Sequence, residues 1–348
     1  MTRTEALIAP LQRVVGTLLD PASILSIWSA AAALALAFAW LGWRSVRRRG
    51  RLRARALARV LLSPRPWRSR STRADAVYAL ASLAMLGAIV GWAVISTNWV
   101  SALVVDLLSR RFGPPADPAP DIWRNAARTL VLFLAYDIGF FVDHTLKHRI
   151  PALWELHKVH HAAETLTPLV NFRVHPLDSL MLANMLALFI GVGGGVATWL
   201  LGPRATSFLL FDDNVLMILY IFLTAQLQHS EIWIPFTGWW GRVLMSPAHH
   251  QLHHSSDPSH FNCNMGASLA LWDWLAGSLR APSADSPRLK FGASGFREDP
   301  HGVAGFLIEP TVRFVGRLFG AAPAAGEAGE TRASLPEPPS VAASRDAF

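Results

Sequence analysis

Residues 136–161 read YDIGFFVDHTLKHRIPALWELHKVHH, an apolar pattern that runs directly into five histidines. His144 and His148 are spaced i, i+4, and His157, His160 and His161 are spaced i, i+3, i+4. Side chains three and four residues apart share a helix face, so each group sends its imidazoles in one direction. The i, i+3, i+4 pattern returns in SPAHHQLHHS, residues 246–255, as His250, His253 and His254. Twelve of the thirteen histidines fall between positions 144 and 260, a clustering that scatter does not produce.

Upstream and downstream of this stretch the chain is rich in apolar runs. With 52% hydrophobic and 16% charged residues, it has too much apolar material for an ordinary soluble enzyme of 348 residues. A membrane-crossing helix needs about 20 mostly apolar residues. Segments 24–43, 76–95, 126–142, 179–201 and 206–227 qualify, which predicts an all-α integral membrane bundle of four to five spans. The loop between the first two carries twelve arginines over residues 44–73 and no acid, which places it in the cytoplasm. Counting onward, 96–125 is an external loop, 143–178 is cytoplasmic, and the last two spans form a hairpin turning at Gly202-Pro203-Arg204. From residue 228 the chain is cytoplasmic again. This reckoning makes no use of the histidines, yet it delivers His144 to His175 and His229 to His260 to one face, as a helical cap. The expected parts are membrane segments at 1–125, a di-metal domain at 126–310 and a disordered tail at 321–348, too poor in apolar residues to order itself. The expected location is the bacterial inner membrane, with the histidines facing the cytoplasm.

Several function classes drop out. The net charge of +8 is crowded into one segment beside an apolar span, so no nucleic-acid partner is expected. The single Cys263 excludes an internal disulfide, a four-cysteine zinc site and a cysteine-ligated iron–sulfur cluster on this chain. The first apolar run ends in arginines rather than in a small-residue cleavage site, and it reads as a retained span. GVGGG at 191–195 lies inside an apolar span with no preceding strand, so it predicts close helix packing rather than phosphate binding.

Neutral imidazole is a ligand for iron, zinc and copper, and the eight histidines in these three groups are too many for one ion. Two ions held by four or five histidines each use the set. The zinc-protease pattern His-Glu-x-x-His and the Glu-x-x-His pair of ferritin-like di-iron proteins are both absent. A ligating ring usually donates its other N–H to a carboxylate or carbonyl. Asp137, inside an apolar span, is the first candidate partner. Asp273, in Leu-Trp-Asp-Trp, reads either as such a partner or as a helix N-cap or surface acid. A histidine-rich metal transporter and a zinc-dependent membrane hydrolase are the competing readings. Transport favours ligands at mid-membrane on broken helices, whereas these clusters sit at span ends, and no Gly-x-Ser-x-Gly nucleophile is present.

Over roughly residues 130–280 the chain resembles the fatty acid hydroxylase and sterol desaturase superfamily, whose signature is H-x-x-x-H followed by two copies of H-x-x-H-H. The flanks match too: NFRVHPLD at 171–178, QLQHSEIWIP at 226–235 and NMGASLALWDWLAGS at 264–278. Thr145 and Ala162 depart from the common pattern, and neither removes a ligand. The resemblance implies metal ligation by His144, His148, His157, His160, His161, His250, His253 and His254, with His175 and His229 completing the two shells. His249 is surplus to the matched box, and His260 and His301 read as ordinary polar or substrate-side groups. It further implies two iron ions, O2 as co-substrate, and hydroxylation or desaturation of a fatty acyl, sterol, alkylglycerol or carotenoid-like lipid. Electrons would come from a ferredoxin or cytochrome b5-like donor with its reductase. The arginine-rich loop could dock an acidic donor, although topology and anionic-lipid attraction already explain it.

Overall fold

The computed structural model describes residue 12 and residues 14–91 and 95–320, with side chains undescribed over 83–91. The expected tail at 321–348 lies outside the described residues. In chain order the main helices are α1 (Ile27–Arg49), α2 (Ala54–Leu61), α3 (Arg70–Gly91), α4 (Thr97–Phe112), α5 (Ile122–Arg149) and α6 (Pro151–His161). They continue as α7 (Pro176–Leu201), α8 (Val215–Tyr220), α9 (Pro247–His253), α10 (Leu271–Ala276) and α11 (Glu309–Leu318). A two-stranded hairpin, β1 (Leu209–Leu210) with β2 (Asp213–Asn214), precedes α8. Apart from this hairpin, the helical architecture expected from the sequence is observed among the described residues. The chain divides into two compact units.

Unit 1 comprises Met1–Arg65, Val77–Asp143 and Ser179–Leu227. Among the described residues, three helices are long and apolar enough to cross a membrane, α1, α5 and α7, and they carry the expected spans at 24–43, 126–142 and 179–201. Helix α1 begins at the Ser26 cap, which accepts from the Ser29 amide, and stops at Gly50, whose φ of 67° is left-handed. Its last turn is Arg47, Arg48 and Arg49, cations that suit a helix C-terminus. The expected span at 76–95 falls on α3, and residues 92–94 of it lie outside the described residues.

Two expectations in this unit need correction. The external loop at 96–125 contains α4, a 16-residue helix capped by Ser96. At roughly 1.5 Å per residue it is too short to span a core of about 30 Å, and Asp106, Arg110 and Arg111 dilute its apolar character. The segment 206–227 opens with the hairpin and becomes helical only at Val215, so the turn after α7 is longer than Gly202-Pro203-Arg204. Gly202 there has a φ of 93°. Glycine spacing draws α4 and α7 together. A Cβ on Gly191 would lie 2.6 Å from Val100 Cβ, and one on Gly195 would lie 2.6 Å from Val104 Cβ. One on Gly193 would lie 2.7 Å from Ala135 Cβ on α5. The glycine run is packing surface, as expected.

Unit 2 comprises Pro66–Ala76, His144–Asp178 and Gln228–Phe348. Pro151 opens α6 behind an extended Ile150, because a proline disfavours helical backbone in the residue before it. That break ends one helix at Arg149 and starts the next at Pro151, with Ile150 alone between them. Arg173 is fully buried. Its guanidinium donates to the carbonyls of Val159 and Pro300 and to the Asp75 carboxylate, each at 2.7 Å. Glu155 on α6 meets Lys158 at 2.6 Å and takes Arg313 and Arg317 of α11 at 3.1 Å each. These ion pairs hold the histidine-bearing helix between distant parts of the chain.

Candidate metal centre

Four segments of unit 2 deliver imidazoles to one place. Helix α5 ends on His144 and His148, α6 carries His157, His160 and His161, and α9 with its C-cap carries His250, His253 and His254. His229 follows the short apolar helix Val215–Gln228. The rings form two sets. His144, His148, His157, His161 and His253 make the first, and His160, His229, His250 and His254 the second; within each set the ligand atoms lie within 4.8 Å of one another.

Each H-x-x-H-H group is shared between the sets. Positions i and i+4 of a helix diverge by only about 40°, while adjacent positions diverge by about 100°. On α6 the i, i+4 pair His157 and His161 joins the first set and His160 the second. On α9 the pair His250 and His254 joins the second and His253 the first.

In the first set, the outer nitrogens fix the tautomers. His144 Nδ1 donates to the Met265 carbonyl at 2.8 Å, His253 Nδ1 to the Cys263 carbonyl at 2.8 Å, and His157 Nδ1 to Asp178 Oδ2 at 2.9 Å. With a proton on Nδ1, the lone pair of each neutral ring sits on Nε2. The Nε2 atoms of His144 and His157 are 3.1 Å apart, and those of His148, His161 and His253 are buried without a hydrogen-bond partner among the described residues. In the second set, Nε2 of His229 lies 3.2, 3.0 and 3.0 Å from Nε2 of His160, His254 and His250.

Ligands about 2.1 Å from one ion and at right angles lie about 3 Å apart. Lone pairs gathered at that separation repel one another unless a cation lies among them, and an all-nitrogen donor set suits iron, zinc or copper. Six of the rings are also held neutral. Burial, with the neighbouring imidazoles adding to it, lowers His160, His161, His250 and His254 well below the ordinary histidine value, and lowers His229 and His253 to about 3. The residues therefore fit two metal ions.

Residues 129–278 match the fatty acid hydroxylase family, close to the bounds expected from the histidine boxes and their flanks. Over this stretch the chain is similar to that family. Among known proteins, the chain is 31% identical over 175 residues to human (Homo sapiens) cholesterol 25-hydroxylase, covering 47% of this chain and 56% of that one. It is 28% identical over 167 residues to an ornithine lipid hydroxylase of Rhizobium tropici, covering 48% and 46%. It is 26% identical over 166 residues to an alkylglycerol monooxygenase of Danio rerio, covering 47% and 32%. The chain spans about half the length of the first two. No solved structure matches it.

Within the matched stretch, nine of the ten histidines implied as ligands enter the two sets. His175 does not: its Nε2 faces the Leu307 carbonyl at 3.2 Å and the Thr311 hydroxyl at 3.1 Å, and its Nδ1 accepts from the Leu177 amide. It ties the start of α7 to α11. His249, surplus to the matched box, belongs to neither set. It forms a capping box with Ser246 at the start of α9. His260 is part-buried, and His301 lies 3.3 Å from Arg173 Nη2.

The two expected acids occupy different places. Asp273 is buried on α10 and accepts from the amides of Met265 and Gly266, both at 2.8 Å, and from the Ser278 hydroxyl at 2.6 Å. It shapes the loop whose Met265 carbonyl receives His144, so it acts one step behind the ring. It is neither an N-cap nor a surface acid, since Ala270 caps α10. Asp137 is fully buried in unit 1. A carboxylate that meets an imidazole directly is Asp178, which was not among the expected partners. Its one signal in the sequence is an acid three residues after His175 in NFRVHPLD.

Proposed function

We propose that this protein is a membrane-bound, O2-dependent di-iron oxidoreductase that hydroxylates or desaturates a C–H bond of a lipid. The observation that carries this reading is the closure of nine imidazoles, eight of them buried and His148 part-buried, into a set of five and a set of four. Histidine-only ligation of two redox ions supplies O2 activation strong enough for an unactivated C–H bond. The first set would be held by His144, His148, His157, His161 and His253, and the second by His160, His229, His250 and His254.

The chain's own residues bind, orient and exclude water. The carbonyls of Met265 and Cys263 and the carboxylate of Asp178 keep the Nε2 lone pairs of three rings turned inward. Asp273 holds the Met265 loop in place. The burial of the sets keeps bulk water from the reacting groups. In a hydroxylation, one oxygen atom of O2 enters the C–H bond and the other leaves as water, which consumes two electrons and two protons. A single cysteine cannot hold a cysteine-ligated iron–sulfur cluster, so the electrons would come from a ferredoxin or cytochrome b5-like protein with its reductase. The relatives named above act on a sterol, an ornithine lipid and an alkylglycerol, and a lipid substrate is what these share. We place the protein in the bacterial inner membrane with the histidine sets toward the cytoplasm, on the strength of the arginine-rich segment at 44–73.

The test compares total lipids, by mass spectrometry, from cells with and without the gene. One lipid class should gain an oxygen atom or lose two hydrogens only when the gene, O2 and a reductant are all present. Turnover that persists without O2, or with zinc as the sole metal, would exclude the reading.

A further inference from the structure

We propose that Asp178 is the positioning residue of the five-histidine set, held by Lys147 and acting through His157. The inference rests on the reading that both sets hold ions. Asp178 and Lys147 are both buried, their side chains 1% and 4% exposed. The Lys147 ammonium pairs with Asp178 Oδ1 and also donates to the Asp178 carbonyl at 3.2 Å. The other carboxylate oxygen, Oδ2, takes the His157 Nδ1 proton at 2.9 Å. Lys147 sits between the ligands His144 and His148 at the end of α5, His157 is on α6, and Asp178 is the third residue of α7. One carboxylate thus ties together three helix segments of unit 2.

The two sets differ in this respect. In the first, two rings donate to neutral carbonyls and one to this charged carboxylate. In the second, the Nδ1 atoms of His160, His229, His250 and His254 are buried with no hydrogen-bond partner among the described residues. A carboxylate on Nδ1–H fixes the rotation and tautomer of the ring and makes its Nε2 a stronger donor to a metal. The two sites should therefore be inequivalent, and Asp178 should govern only one of them.

The experiment uses the full chain in detergent, loaded with cobalt(II) as a spectroscopic probe, and determines the two dissociation constants by competition with a chelator. His161→Ala and His254→Ala identify which cobalt absorption belongs to which set. In Asp178→Asn, the dissociation constant of the five-histidine site should rise about 10–100-fold and its absorption bands should move, with the other site unchanged. Asp178→Glu should recover part of the loss. Two unchanged constants, or equal weakening of both sites, would overturn the proposal. Should Asp178→Asn not fold, Lys147→Gln decides: it should weaken the same site, and a folded Lys147→Gln protein with two native constants also overturns it. A wild-type chain that binds fewer than two ions defeats the metal reading itself, whereas two ions with an indifferent Asp178 defeat only this assignment.

Discussion

At the scale of single residues, the site is governed by what each outer nitrogen meets. His161 and His254 belong to different sets, so His161→Ala and His254→Ala should each lower metal content by one ion rather than two. Elemental analysis of the purified variants checks this; loss of both ions from either variant would mean that the sets are not separable. Asp273 offers a contrasting case. Replacing it with Ala leaves two buried amides and a hydroxyl without their acceptor, at a cost of about 1–3 kcal/mol for each unsatisfied group. The variant should unfold at a distinctly lower temperature even without metal. A native melting temperature would show that the Met265 loop does not depend on it.

At the scale of elements, two contacts are decisive. Helix α7 approaches α4 at Gly191 and Gly195, where a side chain has no room. Gly195→Leu would push into Val104 and the Ser101 carbonyl, and overpacking of this kind costs about 1–3 kcal/mol. Gly194 lies on the same helix, and a methyl group there would meet its nearest neighbour, Ser101 Oγ, at 3.5 Å, which is ordinary contact. Gly194→Ala should be close to neutral. Thermal unfolding of the two variants in detergent separates the cases, and equal melting temperatures would refute close packing as the role of the glycine run. In unit 2, Glu155 holds Lys158, Arg313 and Arg317. Breaking a buried ionic cluster by removing one partner costs about 3–5 kcal/mol. Glu155→Gln should therefore expose α11 to proteolysis first, because α11 contributes two of the three cations. Limited digestion followed by mass spectrometry reads this out; unchanged cleavage at α11 would count against the clamp.

At the scale of the whole molecule, the buried histidines set the response to pH. His229 and His253 are lowered to about 3 and His249 to about 4, burial being the largest cause, against an ordinary value of 6.5. Above about pH 6.5 neither the folded nor the unfolded chain protonates these rings, and their contribution to stability is constant. Below it, the unfolded chain takes up protons that the folded chain refuses, so stability falls as the pH drops toward about 4 and then about 3. The metal-free protein should show this decline in its melting temperature. Bound metal adds stability by mass action and resists the same protons, so chelation should lower the melting temperature at neutral pH. A metal-free protein that is more stable at about pH 5 than at about pH 7 would contradict neutral, buried rings.

Much of this was legible in the chain itself. Among the described residues, hydropathy and length identified three membrane-length helices, and histidine spacing with its flanking residues named the nine histidines that enter the two sets, because both are local properties of a helix. The α4 helix at 97–112 was not legible, since two arginines and an aspartate mask a short apolar pattern. Spacing could not show that each H-x-x-H-H group divides between two sets, that His175 turns away to Leu307 and Thr311, or that Asp178 carries the carboxylate facing His157. Those outcomes depend on where the end of α5 and the start of α7 meet α6 and α9. Sequence periodicity fixes the direction of a side chain about its own helix axis, and only the packing of several helices fixes which directions converge on one point.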